Sequence, residues 1–229
     1  MKLKNAPNQL RNSFLAVCGA YGPAAPLRDL HRSLGWGVLR IEGYSSPDQL
    51  RFFRQLLAQE PWISRIVEVG FNAGHSSYTF LVSRPDIKVV SFDLGSHGYV
   101  RRAKRFIDAA FPGRHYLILG DSRETIPGYI EGHPAPGFDL AFVDGGHDYD
   151  VAKSDLLSIR RMIKPAGLVI MDDLQGWKSW GEGPVRAWAE MQEQGLIHEL
   201  SLIQDGREVT SPQHKYVTAV WGIGKCGLR

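Results

Sequence analysis

The sequence predicts an open α/β fold in which one mostly parallel sheet carries helices on both faces and ends in an antiparallel pair of strands. Three observations carry this. First, a strand, a glycine turn and a helix follow one another without interruption at Ile66-Val-Glu-Val-Gly-Phe-Asn-Ala-Gly-His-Ser-Ser77. Second, four later apolar runs, 88–94, 115–121, 138–144 and 167–173, each end on or beside an acid, and helical patterns alternate with them. Third, the last two runs, 198–204 and 216–221, are joined by a polar turn with no helix between them, which makes them antiparallel.

The chain has 229 residues and 43% hydrophobic content, enough for one substantial core. A net charge of +3 is mild. The densest basic group, Arg101, Arg102, Lys104 and Arg105, falls within an expected helix and reads as its solvated face, so nucleic acid is not expected as a partner. Cys18 and Cys226 stand near opposite ends without metal-ligand spacing, which fits a reduced, cytoplasmic compartment. The apolar run Phe14–Cys18 is too short for a secretory start, and no stretch approaches the roughly twenty apolar residues of a membrane span.

In chain order, residues 1–45 hold loop signals at Gly22-Pro23 and Pro26 and two short helical patterns, 10–17 and 27–34, and they read as a lid or dimerisation segment. The remainder, 46–229, reads as one ligand-binding domain. Ser46-Pro47 is an N-cap followed by proline in the first turn, and Leu50, Phe53 and Leu57 recur at helical spacing. Ile66, Val67 and Val69 suit a central strand, while Gly70 and Gly74 let main-chain N–H groups approach a ligand at a helix start that includes Ser76. The dinucleotide fingerprint requires glycine where this chain has Asn72, which argues against NAD.

A helix over 74–83 leads to the second strand and Asp93, about 20 residues beyond Gly70, where an acid can accept hydrogen bonds from both ribose hydroxyls. After a helix over 99–111 and a third strand, 131–137 reads as a loop. The fourth strand ends on Asp144 and runs into Gly145-Gly-His147; Ala152, Leu156, Ile159 and Ile163 then mark a helix closed by Lys164-Pro-Ala-Gly167. The fifth strand ends on Asp172 and Asp173, and a Trp-containing loop over 176–183 and a helix over 184–194 follow.

Asp144, Asp172 and Asp173 would repel one another without a cation. Oxygen donors of this kind select Mg²⁺, or another hard ion such as Mn²⁺ or Ca²⁺. His147, three residues after Asp144, has the titration range to remove a proton near neutral pH. Tyr149, Trp177 and Trp180 are candidates for the wall of an acceptor pocket, and His75 and His97, beside the turns, read as solvated.

The Glu68-Val-Gly70 strand end followed by Gly74 resembles the first motif of the class I S-adenosylmethionine-dependent methyltransferases, whose Rossmann-like sheet also ends in an antiparallel pair. That resemblance implies that Glu68, Gly70, Gly74 and Ser76 surround the methionine part of S-adenosylmethionine and that Asp93 takes the ribose. It implies further that Asp121 and Ser122 contact adenine, that Asp144 lies at the cofactor, and that the segment with Tyr44 and Ser45 lies over it.

The acids with their base resemble more closely the metal-dependent O-methyltransferases of the catechol type. There a metal-binding aspartate on the fourth strand, here Asp144, meets an acidic pair on the fifth, here Asp172 and Asp173. Catechol-type enzymes have lysine where this chain has His147; histidine resembles the bacterial branch acting on natural-product sugars and phenols. The expectation is methylation of a small hydroxylated molecule, with Asp144 and His147 at the reacting centre and a homodimer or higher homo-oligomer as the assembly. Two other readings stay open: a metal-independent methyltransferase of amines, and a nucleotide-binding regulator without catalysis.

Overall fold

The structure is a computed structural model that describes residues 27–34, 41–43, 45–134, 136–212 and 219–227. The expected helix at 10–17 and the expected strand residues 216–218 lie outside these. The chain begins with α1 (Arg28–Leu34) and α2 (Pro47–Gln59). In α2, Ser46 Oγ accepts from the Gln49 N–H at 3.1 Å, proline occupies the first turn, and Leu50, Phe53 and Leu57 face inward, as their spacing predicts.

Alternating units follow: β1 (Arg65–Val69), α3 (His75–Ser83), β2 (Lys88–Asp93), α4 (Gly98–Ala110), β3 (His115–Leu119), α5 (Ser122–Gly132), β4 (Phe138–Val143), α6 (Tyr149–Met162), β5 (Ile163–Met171) and α7 (Glu182–Glu193). Three strands close the described chain: β6 (Ile197–Gln204), β7 (Arg207–Val209) and β8 (Val220–Cys226). They join one sheet of order β3-β2-β1-β4-β5-β8-β6-β7. Pairings from β3 to β5 are parallel; β8 lies antiparallel to β5 and β6, and β7 antiparallel to β6.

Side chains alternate across this sheet, so each strand feeds two cores. Ile66, Val89, Leu140, Phe142 and Ile170 pack with Leu30, Phe53, Phe80 and Ile107 of α1 to α4. Val67, Val90, Ala141, Val143 and Val169 pack on the other face with Ile126, Leu156, Ile159 and Trp188 of α5 to α7. Leu27, Leu30 and Leu34 are fully buried in the first core, so residues 27–34, for which the sequence suggests a lid or dimer contact, are packed into the fold. In α4, Arg101, Arg102 and Arg105 are exposed, and Lys104 is ion-paired with Asp108.

Four details differ from the sequence expectation. Helix α5 forms although Pro127 and Gly128 interrupt its pattern, because Asp121 caps it and Ile126 anchors it in the core. Strand β5 begins at Ile163 rather than Gly167: Lys164 Nζ donates to the buried Asp139 carboxylate at 2.6 Å, tying an irregular start of the strand to β4. The turn after β6 contains the short β7, and β8 runs to Cys226 instead of stopping at Trp221. Among the described residues, no helix is long and apolar enough to cross a membrane.

Candidate active site

The parallel strands end together, and a cavity of ≈ 480 Å³ opens at their C-terminal edge. Its floor is the β1 turn. Gly70 N–H donates to Phe92 O at 2.8 Å and Asp144 N–H donates to Val69 O at 2.8 Å, so the tips of β2, β1 and β4 stay laced together. Gly70 has φ +94°, and a Cβ there would stand 1.9 Å from the Asp144 carbonyl oxygen. Only glycine permits this approach.

The turn continues through Asn72, whose φ of +48° aims its N–H at Asp93 Oδ2, 2.7 Å away. Asp93 Oδ1 accepts from the Gly95 N–H at 2.7 Å. The acid expected to read the ribose is thus held by two main-chain donors at the cavity wall, beside Leu94, which is 68% exposed. Gly70, Ser45, Ser76, Asp93, Asp121, Ser122 and Asp144, all named from sequence, line this cavity. Gly74 lies just behind the lining as the left-handed residue that starts α3. Tyr44 lies outside the described residues.

Glu68 does not line the cavity. It is fully buried behind the turn, where its carboxyl accepts hydrogen bonds from Ser77 and Ser91 Oγ, both at 2.5 Å, and from Ser76 Oγ. Burial raises its pKa against the lowering effect of those three hydroxyls. Its place is therefore support of the turn, not contact with a ligand. Asp121 lies at the cavity but caps α5 through the Arg123 N–H at 2.9 Å and pairs with the Arg123 guanidinium at 2.5 Å. Those bonds pull its pKa down to about 2.

The far end of the cavity holds the acids. Asp144, Asp172 and Asp173 all line it. Burial, then the charges of Asp172 and Asp173, drive the Asp144 pKa well above its ordinary value, and burial with the Asp173 charge pushes Asp172 up to about 7. Asp172 Oδ2 accepts from the buried Gln49 Nε2 at 2.5 Å, and its Oδ1 from the Asp173 N–H at 2.8 Å. Asp173, with φ +59°, reaches His147 Nε2 at 2.7 Å. That bond, ahead of the surrounding negative charge, raises the His147 pKa above the usual histidine value.

The Trp180 ring lies 5.8 Å from the His147 ring. Gly183, where a Cβ would stand 2.1 Å from His147 O, lets the start of α7 pack against the histidine loop. Trp177 instead packs on the second core, and Tyr149 bonds to Glu190 with Arg186 stacked 3.7 Å over its ring. Of the three aromatics named from sequence, only Trp180 stands beside His147.

The donor types fit a hard divalent cation, since all are oxygens and their charge exceeds what His147 balances. Their arrangement does not. Among the described residues no three His, Cys, Asp or Glu side chains form a set that could hold an ion; Asp172 is bonded to Gln49 and Asp173 to His147.

His75 corrects another expectation. It is 5% exposed rather than solvated, hydrogen-bonded to His31 Nε2 at 2.9 Å, with a pKa lowered to about 3 by burial and then by His31. His97 is partly exposed and pairs with Glu42 at 3.2 Å. Sequence reasoning missed Gln49 and Asn72 as site residues, while Glu42, which lines the cavity, begins the segment that the resemblance lays over the cofactor. The left-handed turn was the one local signal for Asn72; for Gln49, which lies 123 residues from Asp172, there was none.

Residues 67–174 match a family model described as a methyltransferase domain. Among curated proteins, none matches the chain. Of solved structures, the O-methyltransferase from Bacillus cereus in complex with SAH superposes with a TM-score of 0.68 at 16% identity, covering 88% of this chain and 90% of that one. The O-methyltransferase TomG from Streptomyces achromogenes, involved in tomaymycin synthesis and solved with SAM, gives 0.67 at 17% identity over 88% and 90%. CalS11, a TDP-rhamnose 3'-O-methyltransferase of calicheamicin biosynthesis, gives 0.59 at 19% over 96% and 98%. At these identities the likeness shows the fold.

Proposed function

We propose that this chain, which carries a class I methyltransferase domain over residues 67–174, transfers the methyl group of S-adenosylmethionine to a hydroxyl of a small molecule. The observation that carries the reading is the meeting of the Gly70 turn, Asp93 and the His147–Asp173 pair on one cavity. Neighbours of the same fold bind SAM or SAH and are O-methyltransferases, which supports the same chemistry here.

Bound S-adenosylmethionine would supply a sulfonium methyl group open to attack by an oxygen nucleophile. Asp93, held by Asn72 and Gly95, would accept both ribose hydroxyls, and Asp121, Ser122 and the exposed Leu94 on the same cavity would border adenine. Because Asp173 accepts from His147 Nε2, the neutral imidazole keeps its proton there and offers the Nδ1 lone pair to the acceptor hydroxyl. Asp173 then stabilises the imidazolium that forms. Holding that oxygen near the methyl carbon is the larger contribution such a site can make.

Divalent-metal dependence enters this reading through donor type alone: Asp144, Asp172 and Asp173 are the oxygen donors a hard cation would need, while their arrangement is not a cage for one, so no step is drawn through an ion. The preferred acceptor is a natural-product sugar or phenol. CalS11 acts on a sugar nucleotide, and His147 stands where the catechol branch has lysine. A cytoplasmic setting and a homo-oligomer, with part of residues 1–45 as lid or contact, complete the proposal.

The test is transfer of labelled methyl from S-adenosylmethionine to a panel of phenols and deoxysugar nucleotides, before and after exhaustive chelation. Transfer restored by Mg²⁺ supports the whole reading; full transfer after chelation removes the metal. The three carboxyl groups on this cavity favour one second reading, metal-free methylation of an amine that they would orient as its cation and that would give up a proton before its nitrogen attacks the methyl group. Chelator-resistant transfer to amines alone would select it.

A further inference from the structure

Glu42, Gly43, Ser45 and Gln49, close in sequence, all line the cavity and are fastened at two separate places. On the cofactor side, Asn72 Nδ2 donates to Glu42 O, Tyr99 Oη accepts from the Glu42 N–H at 3.2 Å, and His97 meets the Glu42 carboxylate at 3.2 Å. On the acid side, Gln49, 2% exposed, donates to Asp172 Oδ2 at 2.5 Å. The two fastenings differ in kind. The first joins a neutral amide to a main-chain carbonyl at the rim; the second is a buried amide bonded to a carboxyl.

Asn72 occupies a second role as well. Its main-chain N–H fixes Asp93 while its side chain fixes Glu42, so the residue that orients the ribose acid also holds the covering stretch. We propose that Asn72 and Gln49 are positioning residues that fasten the stretch bearing Glu42, Gly43 and Ser45 across the bound nucleoside and thereby set how slowly it leaves. The inference rests on the cavity being the S-adenosylmethionine site.

Glu42, Gly43 and Ser45 line the cavity and are held by these bonds, so on this proposal opening them belongs to the barrier for release. Removing one should speed release and leave association nearly unchanged, because the open form admits the ligand in either case. A net hydrogen bond of about 0.5–1.5 kcal/mol, lost at either residue, corresponds to roughly 2–13-fold faster release.

The experiment measures S-adenosylhomocysteine association and release by stopped flow in the full chain. It compares the parent with Asn72→Gly, which keeps the positive φ and the N–H to Asp93 while losing only the side-chain donor, and with Gln49→Leu, which keeps volume but donates nothing. Faster release at constant association in both supports the proposal. Release within twofold of the parent in either overturns it, while parent chain that does not bind S-adenosylhomocysteine overturns the functional reading beneath it.

Hydrogen exchange on the unaltered chain gives a check that needs no variant. The amides around Glu42 and Gly43 should exchange more slowly with S-adenosylhomocysteine bound. Equal exchange in both states also overturns the proposal.

Discussion

The two ends of the cavity are built on opposite principles. At the Gly70 end the main anchoring groups have partners close in sequence or structure: Gly70 bonds to β2, Asp93 takes two main-chain N–H groups, and Glu68 receives three hydroxyls. At the acid end Asp144 and Asp172 stand in low dielectric beside Asp173, and both are pushed toward the protonated form. The first is a finished mould. The second is held under electrostatic stress that an arriving positive charge would relieve, while the His147 pKa is raised first by its hydrogen bond to Asp173 and then by the nearby negative charge.

If this contrast is right, changes at the two ends should fail differently. The largest effect belongs to Gly70→Ala, whose new methyl would collide with the Asp144 carbonyl; we expect a loss of more than about 4 kcal/mol in denaturant melts, or no folded protein. A near-neutral result would mean that the mould is not rigid. Next comes His147→Ala, expected to cut turnover roughly 10²–10⁴-fold with S-adenosylhomocysteine affinity unchanged by calorimetry. In the parent, turnover should rise with pH through a midpoint above the ordinary histidine pKa, because only the deprotonated ring can act. That rise should vanish in the variant.

Asp93→Asn should weaken S-adenosylhomocysteine binding about 10–100-fold, as loss of a charged acceptor for ribose hydroxyls implies, while the pH midpoint of turnover stays in place. A shifted midpoint would show that the ends are not separable. The smallest effect is on stability. The folded-state pKa of Asp172, about 7, exceeds the ordinary 3.8, so the destabilisation is absent below about pH 4, grows as pH rises from about 4 to 7 while only the unfolded chain is ionised, and is constant above that. Asp172→Asn should therefore raise the melting temperature by a few degrees at pH 8 without divalent ions, and by less at pH 5. An equal gain at both would assign the effect to packing instead of charge.

What the sequence disclosed follows the same division. Strand ends, the Ser46-Pro47 cap and Asp93 were legible because each depends on neighbours within a few residues or on a repeating pattern. The convergence of Asp144, Asp172 and Asp173 on one cavity followed from their position at strand tips. Their partners did not. Gln49 meets Asp172, and Asp173 turns to His147, by packing between distant elements that no spacing encodes. Helix α5 was hidden because Pro127 and Gly128 mimic a loop, and Glu68 was misplaced because alternation along β1 decides which face a side chain takes only once the sheet's two coverings are known.

The burial of Glu68 bears on how this scaffold could be re-engineered. Its partners come from two separate elements, Ser76 and Ser77 from α3 and Ser91 from β2, so the acid is a keystone joining them. Attempts to alter ligand preference by mutating that acid would loosen the platform before they changed selectivity. A change at Asp93, one strand away and on the cavity wall, would act on the cavity without touching that support.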